Sequence, residues 1–123
     1  LTSLSQLRLI NNPISGVIPS EIGLCQSMKE LVLIQNAVSG TIPSEIGLLS
    51  KLELFELSHA LTEGSLPTQI GLLTNLEALG LYDMLYLRGV LPSQIANLSH
   101  LSDLLVGNTF DNEIVFSSFL SHL

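Results

Sequence analysis

Gly16-Val17-Ile18-Pro19-Ser20-Glu21-Ile22-Gly23 returns three times further along the chain. The copies are Gly40-Thr41-Ile42-Pro43-Ser44-Glu45-Ile46-Gly47, Gly64-Ser65-Leu66-Pro67-Thr68-Gln69-Ile70-Gly71 and Gly89-Val90-Leu91-Pro92-Ser93-Gln94-Ile95-Ala96. Their prolines, Pro19, Pro43, Pro67 and Pro92, lie 24, 24 and 25 residues apart, and they account for four of the five prolines in the chain. Asn112-Glu113-Ile114-Val115 is a fifth, degraded copy. A fixed period of this length is the signature of stacked repeats.

Between the copies runs a leucine pattern. Leu4, Leu7, Leu9 and Asn12 stand at offsets 0, 3, 5 and 8. Met28, Leu31, Leu33 and Asn36 repeat it; Leu52, Phe55, Leu57 and Ala60, then Leu76, Leu79, Leu81 and Met84, repeat it with a changed last member. Leu101, Leu104 and Val106 begin a fifth copy, where Asn108 or Thr109 reaches the last slot only by a shift of register. Apolar residues at offsets 3 and 5 have period two, so they face one side of a short strand. All copies run the same way with some twenty residues between strands, which implies parallel pairing, one strand per coil. No coil can bury its apolar side alone, so stability must come from stacking on its neighbours.

The rest of the composition agrees. Of 123 residues, 46% are hydrophobic but only 5% aromatic, and leucine supplies 28, so the core is aliphatic. Four Lys and Arg against eleven Asp and Glu give a net charge of −7, a poor basis for gripping phosphates or anionic lipid. Nucleic-acid binding and direct membrane insertion are therefore not expected. Mean hydropathy is high at +0.51. Even so, the longest apolar runs, such as Leu31-Val32-Leu33-Ile34, fall far short of the roughly 20 residues a spanning helix needs. A single cysteine, Cys25, excludes an internal disulfide and aligns with the core positions Leu49, Leu73 and Leu98. No signal peptide stands at the start, and neither end shows a polar capping repeat, so the expectation is a segment of a longer array.

The pattern L-x-x-L-x-L-x-x-N, continued by Ile14-Ser15-Gly16-Val17-Ile18-Pro19 and Val38-Ser39-Gly40-Thr41-Ile42-Pro43, resembles the plant-type leucine-rich repeat. Such repeats occur in receptor-like protein and receptor-like kinase ectodomains, in polygalacturonase-inhibiting proteins and in related algal or protist proteins. The resemblance implies a repeat solenoid: a right-handed superhelix with one parallel β-strand per coil on the concave face and irregular or 3-10 segments on the convex face. It implies one domain of about five repeats, 1–24, 25–48, 49–72, 73–97 and 98–123, and an extracellular or cell-surface location.

Several local expectations follow. The Asn at offset 8 should bond backbone at the turn leaving each strand, and Ala60 and Met84 should leave turn groups there in need of another partner. Gly16, Gly40, Gly64 and Gly89 should serve turns with positive φ or close coil contact. The extra residue of the fourth copy, near Leu85-Tyr86-Leu87-Arg88, should produce an irregular turn. Glu21 and Glu45, followed by Gln69 and Gln94, belong to the solvated convex side.

A search for chemistry finds no nucleophile motif, no metal-ligand spacing among His59, His100 and His122, and no cofactor signature, so a non-catalytic chain is expected. Where offsets 3 and 5 point inward, 4 and 6 point out onto the sheet, with 2 and 7 at its margins. These positions differ from coil to coil while the framework repeats, as a recognition surface requires. The candidate ligand-binding residues are Arg8, Ile10, Asn11, Glu30, Val32, Ile34, Gln35, Glu56, His59, Tyr82 and Asp83; Leu105 and Asp103 lie on the same face. Ile10, Ile34 and Tyr82 should form an exposed apolar stripe among carboxylates, suiting a neutral or basic protein or peptide partner. Asn97-Leu98-Ser99 is the one glycosylation sequon. Two further readings stay open: an inhibitor of cell-wall-degrading enzymes, and an ice- or glycan-binding solenoid, which needs a regular Thr/Ser column that the shared slot of Val17, Thr41, Ser65, Val90 and Glu113 does not supply. Equally open is whether the ligand touches this segment or another part of a longer array.

Overall fold

The computed structural model describes residues 3–84, 86–89 and 91–107. The degraded fifth copy, with Asn108 and Thr109, lies outside them. Five strands, β1 (Gln6–Ile10), β3 (Glu30–Ile34), β5 (Leu54–Ser58), β6 (Ala78–Tyr82) and β7 (Asp103–Gly107), form one parallel sheet in chain order. Every pairing keeps equal offsets together: Leu7, Leu31, Phe55, Leu79 and Leu104 form one row, and Leu9, Leu33, Leu57, Leu81 and Val106 another. The order is sequential because each strand is followed by a return path that brings the next strand alongside.

The return path is built by the proline segment. Pro19, Pro43, Pro67 and Pro92 are extended, with φ between −77° and −65°, and each precedes a five-residue 3-10 helix: Ser20–Leu24, Ser44–Leu48, Thr68–Leu72 and Ser93–Asn97. Proline lacks an N–H but keeps its carbonyl, and each of these carbonyls accepts from the isoleucine three residues on (Ile22 N–H, 3.0 Å; Ile95 N–H, 3.1 Å). A short second ladder joins β2 (Ser15–Val17) to β4 (Ala37–Ser39) and continues as bridges from Thr41 to Glu63 and from Gly64 to Leu87. At its end the chain must reverse, and Gly16, Gly40, Gly64 and Gly89 take φ of 114°, 73°, 79° and 82° there.

The core is a stack of aliphatic columns. Met28, Leu52 and Leu76 are fully buried, as are Phe55, Leu57, Leu79 and Leu81. Ile18, Ile42, Leu66 and Leu91 before the prolines, and Ile46, Ile70 and Ile95 after them, fill the other half. Cys25 joins Leu49, Leu73 and Leu98 as a buried small apolar group. In the first coil Leu4, Leu7 and Leu9 are only partly buried, since that coil has a neighbour on one side alone.

The asparagine slot works as expected in the second coil. Buried Asn36 donates through Nδ2 to Leu9 O at 2.7 Å and to Ile34 O at 3.1 Å, while Asn12 reaches only its own Ile10 O. The expectation for Ala60 and Met84 needs correction. Ser58 O already accepts Gln35 N–H at 3.1 Å, and Tyr82 O accepts His59 N–H at 3.3 Å. Those turn carbonyls therefore keep a backbone donor, and the slot is closed by the buried Ala60 and Met84 side chains. The extra residue of the fourth coil is taken up in a turn in which Leu87 N–H donates to Met84 O at 3.1 Å.

Candidate functional site

Three rows of side chains point from the sheet to the concave face. Gln6, Glu30, Leu54, Ala78 and Asp103 form the first, Arg8, Val32, Glu56, Gly80 and Leu105 the second, and Ile10, Ile34, Ser58, Tyr82 and Gly107 the third. Adjacent members of a row stand about 4.8 Å apart, one strand spacing. Side chains of neighbouring coils therefore touch, although they are some two dozen residues apart in the chain.

Two such contacts organise the polar groups. Arg8 pairs with Glu30 at the edge of the sheet; the pair is half exposed on the arginine side, so it contributes at most about 1 kcal/mol. In the middle, Tyr82 Oη donates to Glu56 Oε1 at 3.0 Å. The Tyr82 ring also meets His59 edge-on, with centroids 5.5 Å apart and planes at 88°. His59 Nε2 in turn lies 2.9 Å from Asp83 Oδ2. Glu56, Tyr82, His59 and Asp83 thus form one connected cluster across two coils.

At the C-terminal margin Asn11, Gln35, His59 and Asp83 all adopt left-handed backbone, with φ of 54°, 56°, 51° and 54°. This conformation costs about 1–2 kcal/mol in a residue with a side chain, and asparagine and aspartate tolerate it best. It is held by a ladder: the four N–H groups donate to Ile34 O, Ser58 O, Tyr82 O and Gly107 O of the next coil, at 2.8 to 3.3 Å. The margin residues are thereby fixed in backbone while the side chains of Asn11, Gln35 and His59 stay exposed. Beside them an open depression of about 540 Å³ is lined by Asn11, Asn12, Pro13, Gln35, Asn36, Ala37, His59 and Leu61.

Not every candidate is accessible. Val32 is only 2% exposed, although it points to the concave face. It stands in register between Arg8 and Glu56, both of which have longer side chains. Val32 supports the face and offers no contact surface. The expected apolar stripe is also interrupted. Ile10 is 49% exposed, but Ile34 and Tyr82 are only partly so, and fully buried Ser58 stands between them. The large exposed apolar group at the other end of the sheet is Leu105, 58% exposed. Its position on an outward offset was visible in the sequence; it stands on the edge strand β7, and its one lateral neighbour among the described residues, Gly80, has no side chain to cover it. Asn97 lies away from this face, exposed at the end of the 3-10 helix Ser93–Asn97. Among the described residues no group of three or more His, Cys, Asp or Glu could hold a metal ion, and no helix is long and apolar enough to cross a membrane.

No family model and no curated protein sequence matches the chain. Solved structures do. The ectodomain of the receptor kinase SOBIR1 from Arabidopsis thaliana superimposes with a TM-score of 0.82 at 30% identity, covering 90% of this chain and 61% of that one. The Arabidopsis receptor kinase HAESA, in complex with the peptide hormone IDA and the co-receptor SERK1, gives a TM-score of 0.81 at 29% identity, over 90% of this chain and 19% of HAESA. A plant ice-binding protein gives a TM-score of 0.76 at 28% identity, over 84% of this chain and 34% of that one. The chain thus spans from about a fifth to three fifths of the length of these similar structures.

Proposed function

We propose that this chain, a leucine-rich-repeat solenoid of the plant type, is a non-catalytic recognition scaffold whose concave sheet binds a protein or peptide, within an extracellular or cell-surface receptor-like protein. The observation that carries this reading is the contrast within each strand. Offsets 3 and 5 repeat as buried aliphatic rows, while offsets 2, 4, 6 and 7 hold a different residue set in every coil. A uniform support with a non-repeating face suits one particular partner, and the likeness to a receptor ectodomain solved with a peptide hormone supports the same reading. The excess of acidic side chains on the face favours a neutral or basic partner.

Panning a display library of short random peptides against the full chain tests this reading. Tyr82→Ala should leave the circular dichroism spectrum unchanged and weaken the selected binders by about tenfold or more. Binders indifferent to Tyr82→Ala but lost on substitution of Glu21 or Glu45, on the convex side, would overturn it. Extracellular placement makes exposed Asn97 a glycan acceptor; secretion from a eukaryotic host should then give a glycosidase-sensitive mobility shift that Asn97→Gln removes.

A second reading rests on the likeness to a plant ice-binding protein. Val17, Thr41 and Ser65 are exposed at equivalent places beside the second ladder. Their unlike side chains give a poor repeat for ordering water. An ice-recrystallisation assay separates the readings: inhibition of crystal growth that survives Tyr82→Ala and is lost in Thr41→Tyr would favour this one. No feature of the described residues singles out an inhibitor of wall-degrading enzymes.

A further inference from the structure

The open depression at the C-terminal margin of the sheet differs from the acidic face beside it: no carboxylate, lysine or arginine lines it. It crosses the turns that leave the strands of the first three coils. One wall is the margin row Asn11, Gln35 and His59. The other is Pro13, Ala37 and Leu61, all exposed, Leu61 to 50%. Each wall repeats once per coil, so its members stand about 4.8 Å apart and the three coils span about 10 Å. At about 540 Å³ the volume falls within the range of about 300–1,000 Å³ that small ligands occupy.

The polar wall is held in backbone and has hydrogen-bonding groups to offer. The N–H groups of Asn11, Gln35 and His59 are fixed by the ladder to the next coil, yet the carboxamides of Asn11 and Gln35 make no hydrogen bond among the described residues. Each presents both a donor and an acceptor. The His59 ring is kept in place by Asp83 and by the edge contact with Tyr82. On the floor lies Asn36, 6% exposed, whose Nδ2 bonds Leu9 O and Ile34 O while its Oδ1 has no partner. An unmatched buried acceptor costs about 1–3 kcal/mol, and such a group calls for a donor.

We propose that this depression is a binding site for a neutral oligosaccharide of about three sugar residues, laid across the coils with one residue to each. Carboxamides, an imidazole and aliphatic groups give a charged ligand no counterion and suit one that is rich in hydroxyls. A sugar ring has both halves of the match. Its rim of hydroxyls pairs with Asn11, Gln35 and His59, and its C–H face lies on Pro13, Ala37 and Leu61. A hydroxyl turned to the floor is the donor that Asn36 Oδ1 lacks. The spacing also favours a sugar over a peptide. An extended peptide advances about 3.3 Å per residue and repeats on one face every 6.6 Å, out of step with walls that repeat at about 4.8 Å. An extended chain of six-membered sugar rings advances close to one coil per residue. The site shares its margin with the concave recognition face but does not rest on that face binding a peptide.

Cellotriose, maltotriose, mannotriose and xylotriose serve as probes, titrated into the isotope-labelled full chain and followed by NMR. At least one should shift the side-chain amide signals of Asn11 and Gln35 and the methyls of Leu61, saturating by about 10 mM. The matching monosaccharide should bind at least about fivefold more weakly, since it meets one coil in place of three. Gln35→Gly and Asn11→Gly remove the carboxamides at positive φ, where glycine is unstrained, so both should keep the parent circular dichroism spectrum. Each should weaken the trisaccharide about fivefold, and Leu61→Ala about threefold, while Glu21→Gln changes nothing. No shift with any of the four sugars, equal binding of mono- and trisaccharide, or binding indifferent to Gln35→Gly would overturn the site. A response to a neutral peptide alone, with tetra-alanine as the probe, would overturn it too. The peptide-binding reading of the sheet survives all of these outcomes, because it falls only by the mapping of the displayed binders.

Discussion

Gly47 and Gly80 are both buried glycines pressed against a neighbouring coil, yet the two sites respond to crowding in different ways. A Cβ at Gly47, in the 3-10 helix of the second coil, would stand 2.7 Å from the backbone oxygen of Gln69 and 2.9 Å from its Cβ. A Cβ at Gly80 would meet no backbone, only the middle of one flexible side chain, Glu56 Cγ at 3.0 Å and Cδ at 3.4 Å. On the convex side coils stack backbone against backbone; on the concave face they meet through side chains that can swing aside. The convex segment is accordingly near-identical in the first three coils (Ser-Glu-Ile-Gly-Leu twice, then Thr-Gln-Ile-Gly-Leu) and departs only in the fourth, Ser-Gln-Ile-Ala-Asn, whereas no two strands present the same outward set. Sequence drifts where packing is soft.

Three substitutions would break or sharpen the contrast. The largest effect belongs to neither surface but to the column both depend on. Leu57 is fully buried between Leu33 and Leu81, and Leu57→Asp places a charge with no partner in the stack. A loss above about 4 kcal/mol is expected, enough to abolish the cooperative urea transition followed by circular dichroism. A folded Leu57→Asp would mean that this row is not buried. Gly47→Ala should cost about 2 kcal/mol, because neither the Gln69 carbonyl nor its backbone can retreat without disturbing the next helix. A neutral result in the same denaturation experiment would show that the convex stack is as yielding as the concave one. Gly80→Ala should cost less, about 1 kcal/mol, because only the Glu56 side chain has to shift, and with it the hydrogen bond from Tyr82. A cost equal to that of Gly47→Ala would remove the distinction.

Much of this was legible from spacing. The parallel sheet, its register, the buried rows and the positive φ of Gly16, Gly40, Gly64 and Gly89 all follow from residues that recur at fixed offsets. Position on the concave face was equally legible for Arg8, Glu30, Glu56 and Tyr82. Accessibility was not. Whether an outward side chain meets solvent depends on its lateral neighbours two dozen residues away, so Val32, between two longer residues, is buried and Leu105, on an edge strand beside a glycine, is exposed. The left-handed margin was also hidden. Asn11, Gln35, His59 and Asp83 share a backbone state but no side-chain type, and only the carbonyls of the adjoining coil impose it. Asn36 shows the same limit: its role was foreseen, its buried and unmatched Oδ1 was not.

The turn between Met84 and Leu87 carries a last implication. Strand partners are 24 residues apart from Leu7 to Leu31, Leu31 to Phe55 and Phe55 to Leu79, then 25 apart from Leu79 to Leu104. The second ladder moves by the same single residue, from 22 between Thr41 and Glu63 to 23 between Gly64 and Leu87. The main sheet keeps its pairing across the longer coil and the bridge from Gly64 to Leu87 still forms, so the added residue falls in the bend closed by Leu87 N–H on Met84 O, which neither ladder reads. Such a bend is a place where a gene can gain or lose a codon in frame without disturbing the winding, and so a site at which descendants of this array would be free to differ in length.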